Sequence, residues 1–227
     1  MKPPAFQKAI LNWFDQYGRK ELPWQQNIDA YSVWVSEIML QQTQVSTVIP
    51  YYLRFMDSFP TVQDLAAATT DDVLHHWTGL GYYARARNLH KTAQQVSNGL
   101  DGEFPSSVDA LCELPGIGRS TAGAISAIVF KQQAPILDGN VKRVLARFCA
   151  IDGWPGTMDV VTKLWSVAET YTPKSRIADY TQAMMDLGAT LCTRSSPDCP
   201  SCPISSQCIA YKNGNPQDYP GKKPKKV

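Results

Sequence analysis

The sequence predicts an all-α protein on three observations. Apolar residues recur at three- and four-residue spacing along most of the chain, few stretches alternate as strands do, and short Pro/Gly loops punctuate the periodic segments. In chain order the periodicity predicts helices over 5–17, 33–44, 45–57, 71–77, 82–98, 119–129, 141–150 and 177–191, with loops at Pro60, Gly79, Pro105 and Pro155. No internal repeat interrupts this order. The segment 213–227, ending Gly221-Lys222-Lys223-Pro224-Lys225-Lys226-Val227, reads as a flexible tail or the start of an interdomain connection.

The 227 residues are 44% hydrophobic and 19% charged, enough for a sizeable buried core without disulfides. Nowhere do about 18 apolar residues run together, as a membrane span needs, so a cytoplasmic address without a membrane is expected. The net charge of +2 leaves a polyanionic partner unannounced, and any basic surface must be local.

Four of the six cysteines, Cys192, Cys199, Cys202 and Cys208, fall within 17 residues, in the spacing Cys-x6-Cys-x2-Cys-x5-Cys. Paired knuckles of a zinc ribbon are spaced differently, and one compact loop around one centre fits better. Four thiolates from a short segment suit a cubane iron-sulfur cluster, with Pro197, Pro200 and Pro203 stiffening the loop; zinc and plain thiols are the alternatives. Such a loop folds around its centre and can present Arg194 to a phosphate without redox chemistry. Cys112 and Cys149 read as core residues on apolar helical faces.

Leu114-Pro115-Gly116-Ile117-Gly118-Arg119-Ser120-Thr121-Ala122 precedes a helix. Two glycines two apart allow a tight turn with amides exposed at a helix N-terminus, which binds phosphate without reading sequence. An ordinary helix-helix turn is the bland alternative, but the flanking Leu-Pro and Arg-Ser-Thr match a helix-hairpin-helix. Lys142, Arg143 and Arg147 extend the basic face or are solvated helix charges.

Two carboxylates stand in contrasting contexts. Glu37 is the only acid between Tyr31 and Met56, amid Val33, Trp34, Val35, Ile38, Met39 and Leu40, where burial would raise its pKa. With Gln41 and Gln44 it makes a polar stripe on an apolar helix, lining a cavity, or else is an exposed or satisfied carboxylate. Asp138, after Pro135-Ile136-Leu137, reads as an N-cap held ionised by helix amides. One protonated acid and one anion make an arrangement for cleaving a glycosidic bond.

Ser36-Glu37-Ile38-Met39-Leu40-Gln41-Gln42-Thr43-Gln44-Val45, the run from Trp77 through Gly79, Gly81, Tyr82, Arg85 and Arg87 to Leu89, the glycine hairpin, Leu137-Asp138-Gly139-Asn140-Val141 and the cysteine loop together resemble the MutY-type adenine DNA glycosylases of the helix-hairpin-helix superfamily, from about residue 5 to 212. The resemblance implies a two-lobed helical fold with a C-terminal iron-sulfur cluster loop. It places a six-helix barrel over 22–132, a second lobe from 1–21 and 133–212, the tail at 213–227, and DNA across the cleft. It implies catalytic roles for Glu37 (general acid), Asp138 (stabiliser of the sugar cation) and Asn140, and an adenine pocket of Trp24, Leu40, Gln182 and Met185. DNA contacts implied are Gln41, Gln42, Thr43, Tyr82, Arg85, Gly116, Gly118, Arg119, Ser120, Thr121 and Lys142, with Gln42 and Tyr82 entering the duplex. A 4Fe-4S cluster on Cys192, Cys199, Cys202 and Cys208 completes the set.

The implied reaction is hydrolysis of the N-glycosidic bond of adenine opposite 8-oxoguanine or guanine in double-stranded DNA, by a monomer, during base excision repair. Ser120 stands where the similar endonuclease III type places a Lys nucleophile, which argues for a monofunctional enzyme, with Lys142 a source of weak lyase activity. Gln25 follows Pro23-Trp24 where many relatives carry Arg. The family normally continues into a domain that reads oxidised guanine, so a chain ending at Val227 is expected to discriminate it less well. A non-catalytic DNA-binding module and an electron carrier are the competing classes.

Overall fold

The computed structural model describes residues 1–224, and those residues contain helices and no strands. They divide into two compact units, one running from Lys20 to Phe130 and one combining Met1–Arg19 with the chain from Lys131 onward.

The continuous unit holds α2 (Ala30–Leu40), α3 (Val45–Ser58), α4 (Val62–Ala67), α5 (Thr70–Trp77), α6 (Ala84–Gly99), α7 (Val108–Cys112) and α8 (Arg119–Ile128). Oxygen-bearing caps start several of them: Asp29 accepts from Ser32 N–H, and Thr61, Thr69 and Ser107 accept likewise three residues on. Helix α2 is buried on nearly every side, packed against α3 and α8. Around it Trp34, Phe55, Leu65, Trp77, Leu89 and Ile125 form the core. A helix apolar nearly all round belongs inside a domain, and this one carries Glu37 on its half-buried face.

The second unit combines α1 (Pro3–Tyr17) with α9 (Gly139–Cys149), α10 (Met158–Tyr171), α11 (Ile177–Thr190) and α12 (Ile209–Lys212). Helix α1 packs on α10 and α11, and Phe6 meets Phe148 at 4.8 Å and Tyr171 at 4.6 Å between ring centres. Arg19 locks the end of this segment. Its Nε and Nη2 donate to Oδ1 of the buried Asp186 on α11 at 2.9 and 2.6 Å, and its backbone N–H reaches Oδ2 at 2.8 Å. On the surface Arg176 pairs with Asp15 of α1.

Three expectations change. The helix expected over 33–44 stops at Leu40, because Gln42 adopts a left-handed φ of 60° and Gln44 begins the next helix, so Glu37, Gln41 and Gln44 do not form one helical stripe. Helices α4, α7, α10 and α12 were not expected, although Val160, Leu164 and Ala168 give α10 a clear apolar face. The tail is docked as far as residue 221: Asn215 N–H donates to Ala210 O and Gly221 N–H to Gly153 O. Residues 225–227, the end of that expected tail, lie outside the described part. None of the described helices is long and apolar enough to cross a membrane.

Candidate functional site

In the continuous unit Glu37 is half-buried between the fully buried Ser36 and Ile38. Leu40, one turn further, is half-buried on the same side, so these two mark the least enclosed face of α2. After the helix ends, Gln41 Nε2 approaches Thr121 Oγ1 on α8 at 3.5 Å, at the edge of hydrogen bonding, and the Gln42 side chain is exposed. Tyr82 also has a left-handed backbone, φ 50°, and 59% exposure. A non-glycine residue at positive φ is uncommon, and two presented outward from neighbouring motifs suit contact with a partner. Trp24 is 4% exposed and packs edge-on to Tyr52 at 5.4 Å, so in this structure it is a core residue. Arg85 turns inward, its guanidinium donating to backbone carbonyls of residues 38–41 and 80–81.

The glycine hairpin links α7 to α8. Leu114 and Ile117 are buried while Gly116, Gly118 and Arg119 face solvent and Ser120 and Thr121 are half-buried. Gly116 needs its φ of 79°, and a Cβ there would stand 2.8 Å from Asn88 Cβ. Thr92 Oγ1 holds the turn from behind by donating to Pro115 O at 2.8 Å. Gly118 caps α8 without any side chain, and nothing lies within 4 Å of where its Cβ would be. The first amides of α8 therefore stand at an open helix end, the geometry that accepts a phosphate.

In the second unit Asp138 is the N-cap of α9, accepting from Val141 N–H at 2.8 Å, as the sequence indicates. The shift of its pKa runs against what the cap alone implies. Burial pushes the Asp138 carboxyl above the usual carboxylate range, outweighing the amides of Val141 and Asn140 and the cations of Arg143 and Lys142 that pull it down. The residue overall is half-buried with its carboxyl enclosed. Lys142 follows on the first turn, half-buried. Asn140 packs so closely on α11 that a Cβ at Gly188 would lie 2.5 Å from Asn140 Cβ. On α11 Gln182 and Met185, three apart, are half-buried beside buried Thr181, Ala183 and Met184, so they share an accessible face.

Arg143 and Arg147 are not a basic surface. Arg143 donates to Asn140 Oδ1 at 2.8 Å, Gly188 O at 2.6 Å and Cys192 O at 2.6 Å. Arg147, 2% exposed, donates to Cys192 O, Thr193 O and Arg194 O on one side and to Pro216 O and Tyr219 O on the other. Sequence reasoning missed this role, since a Lys/Arg run on a helix carries no sign of which cation faces inward.

Cys192, Cys199, Cys202 and Cys208 line one pocket walled by Val144, Leu187, Leu191 and Ile204. Among the described residues no three His, Cys, Asp or Glu side chains are grouped tightly enough for a single metal ion. The thiols thus share a pocket without forming a mononuclear site. Burial pushes Cys199 and Cys208 up, and Cys202 up to about 12, so these thiols would not ionise without a cation beside them. Arg147 Nη1 already points at Cys192 Sγ, 3.3 Å away. Cys112 is exposed and Cys149 half-buried, correcting their assignment to the core; α7 is too short and peripheral to enclose Cys112.

Comparison with known proteins places this geometry. The chain is 46% identical over 223 residues to the adenine DNA glycosylase of Buchnera aphidicola subsp. Schizaphis graminum, covering 98% of this chain and 64% of that protein. It is 46% identical over 215 residues to the Homo sapiens adenine DNA glycosylase, covering 91% of this chain and 39% of that protein. The chain therefore spans less than two thirds of the curated relatives it matches. Among solved structures it is similar to a thermostable thymine-DNA glycosylase, with 27% identity, a TM-score of 0.82 and coverage of 93% and 97% of the two chains. The fold is also that of an endonuclease III trapped on DNA, with a TM-score of 0.77, 22% identity and coverage of 94% and 99%. Residues 35–170, which hold Glu37, the hairpin and Asp138, match the family model of HhH-GPD superfamily base excision DNA repair proteins, and the chain belongs to that family.

Proposed function

We propose that the chain is a monofunctional DNA glycosylase that hydrolyses the N-glycosidic bond of adenine opposite 8-oxoguanine or guanine in duplex DNA, acting as a monomer in the cytoplasm. The observation that carries the reading is the enclosed Asp138 carboxylate at the start of α9, within a chain similar to adenine DNA glycosylases over nearly its whole length. The HhH-GPD family supports base excision repair as the setting.

In this reading the C1′–N9 bond breaks and its electron pair leaves with adenine, which takes a proton from Glu37. Asp138 faces the positive charge that develops on the sugar. A carboxylate stripped of water interacts with a neighbouring cation more strongly than a solvated one, so the burial that raises the Asp138 pKa also strengthens its pull on the transition state. Water then adds to C1′ and returns its proton to Glu37. Ser120 has no amine for a Schiff base, so the reaction ends at an abasic site. Leu40, Gln182 and Met185 contact the adenine, whereas Trp24, buried against Tyr52, is not among the residues open to it. Gln41, Gln42, Thr43, Tyr82, Gly116, Gly118, Arg119, Ser120, Thr121 and Lys142 contact DNA, and the hairpin amides take a phosphate. Extraction of the base costs a few kcal/mol of stacking, less at a mispair.

Cys192, Cys199, Cys202 and Cys208 would hold the 4Fe-4S cluster. Four thiols around one apolar pocket, with a guanidinium beside them, suit that group by donor type. When bound it would supply the positive charge that lets the buried thiols ionise and the loop fold around them.

Single-turnover base release from duplexes with adenine opposite 8-oxoguanine, guanine or thymine tests the proposal. The expected result is release at the first two, falling by about 10²–10⁴-fold in Glu37→Gln while mismatch binding survives. Release of oxidised pyrimidines in place of adenine, or an undiminished Glu37→Gln variant, would overturn it.

A further inference from the structure

Arg85, near the start of α6, binds two separate turns of its unit at once. Through Nη1 it donates to Ile38 O and Met39 O at 2.9 Å and to Gln41 O at 2.6 Å. Through Nη2 it donates to Leu80 O at 3.0 Å, and more weakly to Gly81 O and Thr43 Oγ1 at 3.3 Å. Its Nε is buried without a partner, so the group's hydrogen bonding goes to these turns through the two terminal nitrogens. The carbonyls of Ile38 and Met39 belong to the last turn of α2, where the helix dipole favours a cation; the chain itself supplies Ile38 O with one long bond, from Gln41 N–H at 3.4 Å. The guanidinium also lies 5.3 Å from the Trp77 ring centre and 5.4 Å from that of Tyr82, while Trp77 Nε1 donates to Gly81 O at 3.1 Å.

The two turns carry Gln42 and Tyr82, each at positive φ and each exposed. Residues left to themselves leave that region readily, and something must hold them there. We propose that Arg85 is a positioning residue: it fixes the Gln41–Thr43 and Leu80–Tyr82 turns to each other and to the end of the helix that carries Glu37, so that both side chains meet the duplex as one rigid wedge in register with the acid. This rests on the function proposed above and replaces a direct DNA contact by Arg85. A lysine cannot take its place. Its ammonium has three donors around one atom, whereas the two turns need a planar group reaching both ways.

Arg85→Lys, which keeps the charge, is the test, alongside Thr43→Val, which removes the weak bond from Arg85 and the weak bond of Thr43 Oγ1 to Gln41 O at 3.4 Å. In the free protein, amide hydrogen exchange is expected to quicken at residues 41–43 and 80–82 together in Arg85→Lys, with the protection of α3 and α8 unchanged. Thr43→Val should show a smaller rise confined to residues 41–43. On DNA, Arg85→Lys is expected to bind undamaged duplex with the salt dependence of the parent, yet to lose the fluorescence rise of 2-aminopurine placed at the target adenine. It should release adenine about 10²-fold more slowly, the cost of a misplacement of about 1 Å. Unchanged exchange in the two turns overturns the proposal. So does a salt slope reduced by about one counterion with extrusion intact, the mark of a phosphate contact. If Arg85→Lys loses protection throughout, Thr43→Val decides, and equal exchange at 41–43 in that variant and the parent overturns the clamp. A parent protein that releases no adenine would refute the proposed function, and the exchange data would still decide the clamp.

Discussion

The start of α9 and the end of α2 each sit beside a carboxylate assigned to catalysis, and they are held by opposite means. At the start of α9 the chain satisfies itself: Asp138 accepts from an amide three residues away. At the end of α2 the carbonyl of Met39 takes its donor from a guanidinium more than 40 residues further on, and Ile38 O adds that guanidinium to one long local bond from Gln41 N–H. A local cap can change with little effect elsewhere, while a remote one ties the site to several elements.

The difference can be tested, starting where the effect should be largest. Asp138→Asn keeps a good capping residue and removes the charge, so base release is expected to fall by about 10²–10³-fold in single-turnover assays. Stability should move the other way. The folded pKa of Asp138 lies above its unfolded value, so the folded state binds the extra proton, and the parent loses stability as pH rises from about 4 through the folded pKa. The melting temperature of Asp138→Asn should therefore draw ahead of the parent's across that window and stay ahead above it. A variant that melts lower at pH 7 would show that the charge itself holds the cap.

Arg147→Ala removes a remote guanidinium and leaves several part-buried carbonyls without that donor, at up to about 1 kcal/mol each. Urea unfolding is expected to show a loss of about 3 kcal/mol, and trypsin to cut sooner at Lys222. Gly188→Ala drives a methyl against Asn140 and should cost about 1–3 kcal/mol by the same measurement, with base release falling as Asn140 shifts. The smallest effect belongs to a purely local cap: Ser107→Ala, at the first helix of the hairpin, should cost about 1 kcal/mol and leave adenine release within a few-fold of the parent.

The same contrast marks what the sequence made legible. Helical periodicity placed the long helices other than α10, and the Asp138 cap was readable because cap and amide are neighbours in the chain. The hairpin was readable because its glycines obey a local backbone rule. What escaped depends on distant partners. The break at Leu40 comes from the left-handed turn at Gln42, whose outline Arg85 supports from another motif, and nothing within residues 33–44 announces it. Arg143 and Arg147 looked like surface cations until α11, the cysteine loop and residues 216–219 closed on them. The direction of the Asp138 pKa shift escaped for a related reason: the amides that lower its pKa are in the sequence, whereas the exclusion of water that raises it belongs to the packed fold.

The unit that joins both ends of the chain has a consequence for synthesis. Helix α1 leaves the ribosome before α10 and α11, on which it packs, and these follow only after the 111 residues from Lys20 to Phe130 and still more beyond. At bacterial or eukaryotic elongation speeds that delay is on the order of ten seconds. Throughout it Phe6, Ile10, Trp13 and Phe14 await the helices they pack against, while the continuous unit can already fold. The nascent chain thus offers a chaperone one greasy helix until α10 and α11 have been made.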